Sequence, residues 1–149
     1  RTSDVFDWIG RFFGRIAEWI YRRGQAAAGA ADLAKEERRT AVRTVRDAIS
    51  EAMAEAERDR LHGSLEDQNA AITAASRAGA VMHEVDDDEA RRLVTEWKAL
   101  FDAIPKGWMK QSLYGNGPLG YPQAEWDALR SAAQTALDRL GFVLRELMK

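Results

Sequence analysis

Residues 4–23 read DVFDWIGRFFGRIAEWIYRR, and what covers their apolar side decides between two folds. Wound as a helix at ~100° per residue, Val5, Phe6, Trp8, Ile9, Phe12, Phe13, Ile16, Ala17, Trp19 and Ile20 fall on one half of the wheel. Asp7, Gly10, Arg11, Gly14, Arg15, Glu18 and Arg22 fall on the other. So clean a division belongs to a helix that meets an apolar medium on one side and a polar one on the other. If that medium is the chain's own core, the protein is an ordinary five-helix domain. If it lies elsewhere, four later segments build the core and this one is a contact surface. Ser3 and Asp4 can cap the helix, and Arg22-Arg23-Gly24 closes it with a cationic last turn and a glycine. Gln25 to Ala31, rich in Ala and Gly, reads as a hinge or as the frayed start of the next helix.

Beyond it a long helix is expected over 30–61, with a stripe of Ala41, Val42, Val45, Ala48, Ile49, Ala52, Met53 and Ala56. Charges fall on that stripe at both ends, Arg38 upstream and Asp59 downstream, so close packing is expected over 41–56 and 26–40 is expected as a stalk. His62-Gly63 ends the helix, and Ser64 followed by Glu66 and Asp67 starts the next. That helix, over 65–83, turns Leu65, Ile72, Ala75, Gly79 and Met82 inward. Asp86-Asp87-Asp88-Glu89 puts negative charge where the dipole of the following helix favours it. This helix, 88–104, buries Leu93, Trp97, Leu100, Phe101 and Ile104 and stops at Pro105. The last, 123–148, carries Trp126, Leu129, Ala133, Ala136, Leu137, Leu140, Val143, Leu144 and Leu147.

The expected fold is therefore all-α: an antiparallel four-helix bundle over 26–149, an N-terminal amphipathic helix over 1–25, and one long irregular loop before the last helix. That loop, 105–122, holds all three prolines yet also Trp108, Met109, Leu113, Tyr114, Leu119 and Tyr121. So much apolar surface is expected to fold back over one end of the bundle.

Composition removes several functions. At 149 residues the chain is long enough for one core. A net charge of −2, spread as +2 over 1–25, −1 over 26–62, −5 over 63–104 and +2 over 105–149, offers no nucleic-acid footprint. Without cysteine there is no disulfide, thiolate metal site or cysteine nucleophile, which fits a reducing compartment. No run is apolar enough to span a bilayer. The Ala/Arg/Glu-rich composition suggests a helical protein from a GC-rich genome. Arg1 in place of Met suggests a processed or excised chain, with any upstream segment out of view.

Apparent chemical motifs have plainer explanations. Gly115-Asn116-Gly117-Pro118-Leu119-Gly120 matches a dinucleotide pattern by letter, but the mechanism needs a strand before it and a helix after it. His62 and His83 each have carboxylates nearby, yet they sit at opposite ends of one helix, about 30 Å apart at ~1.5 Å per residue. No nucleophile, base and orienting group stand together. The reading expects no enzyme, no metal and no cofactor.

What remains is a non-enzymatic interaction module. Its first helix docks through Phe6, Trp8, Phe12, Phe13, Ile16 and Trp19, with Arg11 and Arg15 beside them, on a membrane surface, another subunit or a partner protein. Gly10 and Gly14, four apart at the border of the two faces, suit close packing against a neighbour. An aromatic amphipathic segment before a charged, Ala-rich stalk resembles the membrane-proximal part of many bacterial anchored proteins. The expected location is cytoplasmic or at the cytoplasmic face of a bacterial membrane. The second reading is a ligand-binding or sensor domain with a pocket under the 105–122 loop, lined by Trp108, Tyr114 and Tyr121.

Overall fold

The computed structural model describes residues 2–104 and 121–149, and side chains within them except at 2–6 and 8. The described residues are helical throughout, with no strand among them. Four α-helices follow one another: α1 (Thr2–His62), α2 (Leu65–Val81), α3 (Asp88–Ala103) and α4 (Gln123–Leu147), with a short 3-10 helix, Met82–Glu84, between α2 and α3. The chain divides into two compact units, residues 1–37 and 38–149.

The first correction concerns residues 24–31. The break expected there does not exist, and the helix continues through Gly24 and Gly29. A glycine ends a helix by taking a left-handed backbone that other residues avoid. Among the described residues only Gly63 does so, with φ of 66°. Gly24 stays helical, and the alanines after it have the highest helix propensity of any residue, enough to carry a single glycine that costs ~1 kcal/mol.

At Gly63 the expected ending holds. Its N–H donates to the Asp59 carbonyl at 2.7 Å, and Ser64 then caps α2, its Oγ accepting from the Asp67 N–H at 3.0 Å. Asp87 caps α3 in the same way, Oδ2 accepting from the Ala90 N–H at 2.8 Å.

Within the second unit the core draws on all four helices. From α1 come Ala41, Val42, Val45, Ala48, Ile49, Ala52 and Ala56; from α3, Ala90, Val94, Trp97 and Phe101; from α4, Trp126, Leu129, Ala133, Ala136, Leu140 and Val143. Trp97 and Phe101 pack with ring centroids 5.5 Å apart, and the Trp97 indole N–H points at the Met53 sulfur, 3.4 Å away. Leu137, expected on the apolar stripe of the last helix, is only partly buried against this cluster.

α2 departs furthest from expectation. Leu65 and Ile72 are exposed, and the buried face is Gln68, Ala71, Ala74, Ala75 and Ala78. Leu65 and Ile72 lie about a third of a turn from the centre of that face at ~100° per residue. A face of alanines lets neighbouring backbones approach closely, and the two larger side chains stay outside. Leu100, also expected inside, is exposed, while Val94 and Trp97 face inward. Arg38 is exposed. Its neighbour Arg39 reaches the far end of the chain, donating from Nε and one Nη to the Leu147 carbonyl at 3.1 and 3.0 Å. That carbonyl belongs to the last turn of α4, where cationic donors are favoured.

Candidate interaction surface

Every described side chain from Arg11 to Leu33 is exposed. Phe13, Trp19, Ile20 and Tyr21 stand at 63%, 59%, 58% and 64%, with Phe12 and Ile16 at 49% and 39%. Aromatic and aliphatic side chains of this size each forfeit ~1.5–3 kcal/mol of burial when left in water. Single exposed apolar residues are ordinary, but a contiguous set at helical spacing marks a contact surface.

The local geometry orders the surface without covering it. Phe12 and Phe13 meet edge to face, centroids 6.1 Å apart. The Arg23 guanidinium lies 5.2 Å from the centre of the Trp19 ring, a cation–π contact. Arg22 pairs with Glu18 one turn back at 2.5 Å, and the Gln25 amide donates to the Tyr21 hydroxyl at 2.7 Å. Arg11 and Arg15 form no ion pair among the described residues. A Cβ built on Gly10, Gly14, Gly24 or Gly29 would meet nothing within 4 Å, so no neighbour among the described residues explains the glycines. Of the residues expected to carry the contact, Phe12, Phe13, Ile16, Trp19, Arg11 and Arg15 are exposed together. The side chains of Phe6 and Trp8 lie outside the described residues.

The second candidate region sits at the C-terminal end of α1. Asp59, expected to mark the end of packing, is fully buried, and the Tyr121 hydroxyl donates to its Oδ2 at 2.7 Å. Burial first, and then the hydrogen bond to Asp59, holds the Tyr121 phenol well above its ordinary value. Tyr121 stacks edge to face on Trp126 at 5.4 Å, and Arg60 lies 5.2 Å from the Trp126 ring centre while binding Glu57 through two nitrogens at 2.6 and 3.1 Å. That bond to Arg60 holds the Glu57 carboxyl below the usual range. Beside this cluster is an open hollow of about 370 Å³ lined by Met53, Ala54, Glu57, Trp126 and Arg130. Of the pocket residues expected under the 105–122 loop, Tyr121 is buried at 6% exposure with its hydroxyl engaged. Trp108 and Tyr114 lie outside the described residues, as does the expected ordering of that loop.

One further polar cluster is structural. Arg139 grips Asp87 through two parallel hydrogen bonds of 2.9 Å, and its guanidinium lies 4.8 Å from the Phe142 ring centre. The same carboxylate therefore caps α3 and ties it to α4. Chiefly because of Arg139, Asp87 titrates below the usual carboxylate range. The acidic run is plain in the sequence, but nothing near it signals a partner 52 residues on.

His62 and His83 are both exposed. Among the described residues no three His, Cys, Asp or Glu side chains stand where they could hold a metal ion together. No helix of the described residues is long and apolar enough to cross a membrane. No family model, curated protein or solved structure matches this chain.

Proposed function

We propose that the chain is a non-enzymatic helical interaction module. In this reading residues 38–149 form an antiparallel four-helix bundle. The N-terminal part of α1 is an amphipathic segment that docks, apolar face first, on a surface from outside the chain. The observation that carries the reading is the joint exposure of Phe12, Phe13, Ile16, Trp19 and Ile20 at helical spacing. The bundle arrangement is supported by short connections, two residues between α1 and α2, and by a core to which all four helices contribute. Outside the docking face the two best-placed carboxylates serve the fold, Asp59 accepting from Tyr121 through Oδ2 and Asp87 binding Arg139.

Replacing Phe12 and Trp19 together by Ser tests the reading directly. The doubly substituted chain should keep its helicity and unfold at the wild-type temperature, because neither side chain contributes to the core. Loss of core packing lowers the midpoint by several degrees per kcal/mol. A large drop in a cooperative transition would make this helix part of the protein's own core and end the interaction reading.

A further inference from the structure

We infer that the surface met by this face is an anionic lipid bilayer, on which the segment lies in the plane of the headgroups. The inference rests on the interaction reading above and names its partner.

Charge complementarity is the first argument. Residues 1–25 carry five arginines against three carboxylates, a net +2, in a chain whose total is −2. The positive charge is also placed. At ~100° per residue, Arg11 and Arg15 fall within about 40° of each other, along the edge of the apolar face that holds Trp19, with Arg22 between them and paired to Glu18. All three are exposed. A cationic margin beside a Trp- and Phe-bearing face is the pattern of a helix half sunk in a headgroup layer, its long basic side chains reaching outward to phosphate.

Arg23 is the second argument, because it separates lipid from a second copy of the chain. It falls within the apolar arc on the wheel and is stacked on Trp19. Two copies joined in parallel through this face would bring two Arg23 guanidiniums into one seam. A headgroup layer accepts an arginine resting on an indole, since Trp and Arg both favour that depth. Width points the same way. A two-helix seam covers a narrow stripe, whereas the apolar arc here spans half the helix. Insertion across the bilayer is excluded for the described residues by their polarity.

The experiment is vesicle co-sedimentation of the whole 149-residue chain, with vesicles of phosphatidylcholine alone and of phosphatidylcholine mixed with phosphatidylglycerol, alongside sedimentation equilibrium without lipid. Binding should favour the mixed vesicles by roughly tenfold or more and weaken as salt is raised. Phe12→Ser with Trp19→Ser should abolish it, and each of Arg11→Gln and Arg15→Gln should cost roughly fivefold on the mixed vesicles. Gly10→Leu with Gly14→Leu should leave it intact, because no described residue packs there. Absence of binding to either vesicle overturns the inference, as does equal binding to both. If the chain instead self-associates without lipid, and the Gly10/Gly14 substitutions make it monomeric, the partner is a second copy. The interaction reading then survives while the lipid inference fails.

Discussion

The apolar residues of α1 meet opposite fates in its two halves. Over 41–56 the stripe is built of modest side chains, Ala41, Val45, Ala48, Ile49 and Ala52 among them, and all of these are 3% exposed or less. Over 12–20 the side chains are the larger ones, Phe12, Phe13, Ile16, Trp19 and Ile20, and all are exposed. Residue hydrophobicity thus fails to predict burial along this helix, since Ile49 is buried while Ile16 and Ile20 are exposed. What separates the halves is supply: α2, α3 and α4 bring matching faces to the second half. An amphipathic pattern states a demand for cover, and the rest of the chain determines whether that demand is met.

The strongest way to break this contrast is a matched pair of truncations. Leu140→Ala, at a site 0% exposed, should cost ~2–5 kcal/mol by urea denaturation. Ile20→Ala should change stability by no more than about 0.5 kcal/mol. Comparable losses at the two sites would show that the N-terminal segment is packed in solution and erase the distinction.

A smaller effect sharpens it at the buried end of α1. Tyr121→Phe removes the hydroxyl that donates to Asp59 Oδ2 and should destabilise by ~1–3 kcal/mol. Because the folded-state value of Tyr121 is raised, the tyrosine's contribution is complete below its ordinary value of about 10 and is lost as pH climbs beyond it. Urea midpoints taken across alkaline pH should therefore fall more steeply for the wild type than for Tyr121→Phe.

The smallest effect lies at Asp87. Asp87→Ala should cost ~0.5–2 kcal/mol through loss of the α3 cap, while Asp87→Asn keeps a capping group but loses the charge and one of the two oxygens that accept from Arg139. The folded-state value of Asp87 is lowered, so its contribution is present above the ordinary carboxylate range and disappears as pH falls through the lowered value. Thermal melts between neutral and acid pH should show a flatter acid decline for Arg139→Gln than for the wild type.

Local chemistry is the legible part of this sequence. Gly63 and Ser64 announce the first turn, and Asp87 the start of α3, because caps depend on a few adjacent atoms. The stripe of α1 over 41–56 is equally plain. The features that cannot be read depend on distant partners. Asp59 looks like the end of a stripe because its buried partner, Tyr121, is 62 residues away. Leu65, Ile72 and Leu100 are expected inside because they are large and apolar, whereas the face α2 buries is made mostly of alanines. The continuity of α1 past Gly24 is missed when one glycine is given more weight than the run of alanines after it. For the candidate surface, the exposed Phe12, Phe13, Ile16 and Trp19 are identified by periodicity alone. The wheel cannot supply the stacking of Arg23 on Trp19 or the open space beside Gly10 and Gly14.

The alanine face of α2 carries a consequence for how this protein can vary. Ala71, Ala74, Ala75 and Ala78 are buried with nothing beyond Cβ to remove, so the cavities that truncation leaves elsewhere in the core have no counterpart here. Addition is the vulnerable direction, because every extra methylene must find room in a filled core. Substitution at these four positions should be confined to the smallest residues, while the exposed half of the same helix should tolerate change. An inventory of tolerated substitutions would trace the two sides of α2 as sharply as coordinates do, with residue volume as its only ruler.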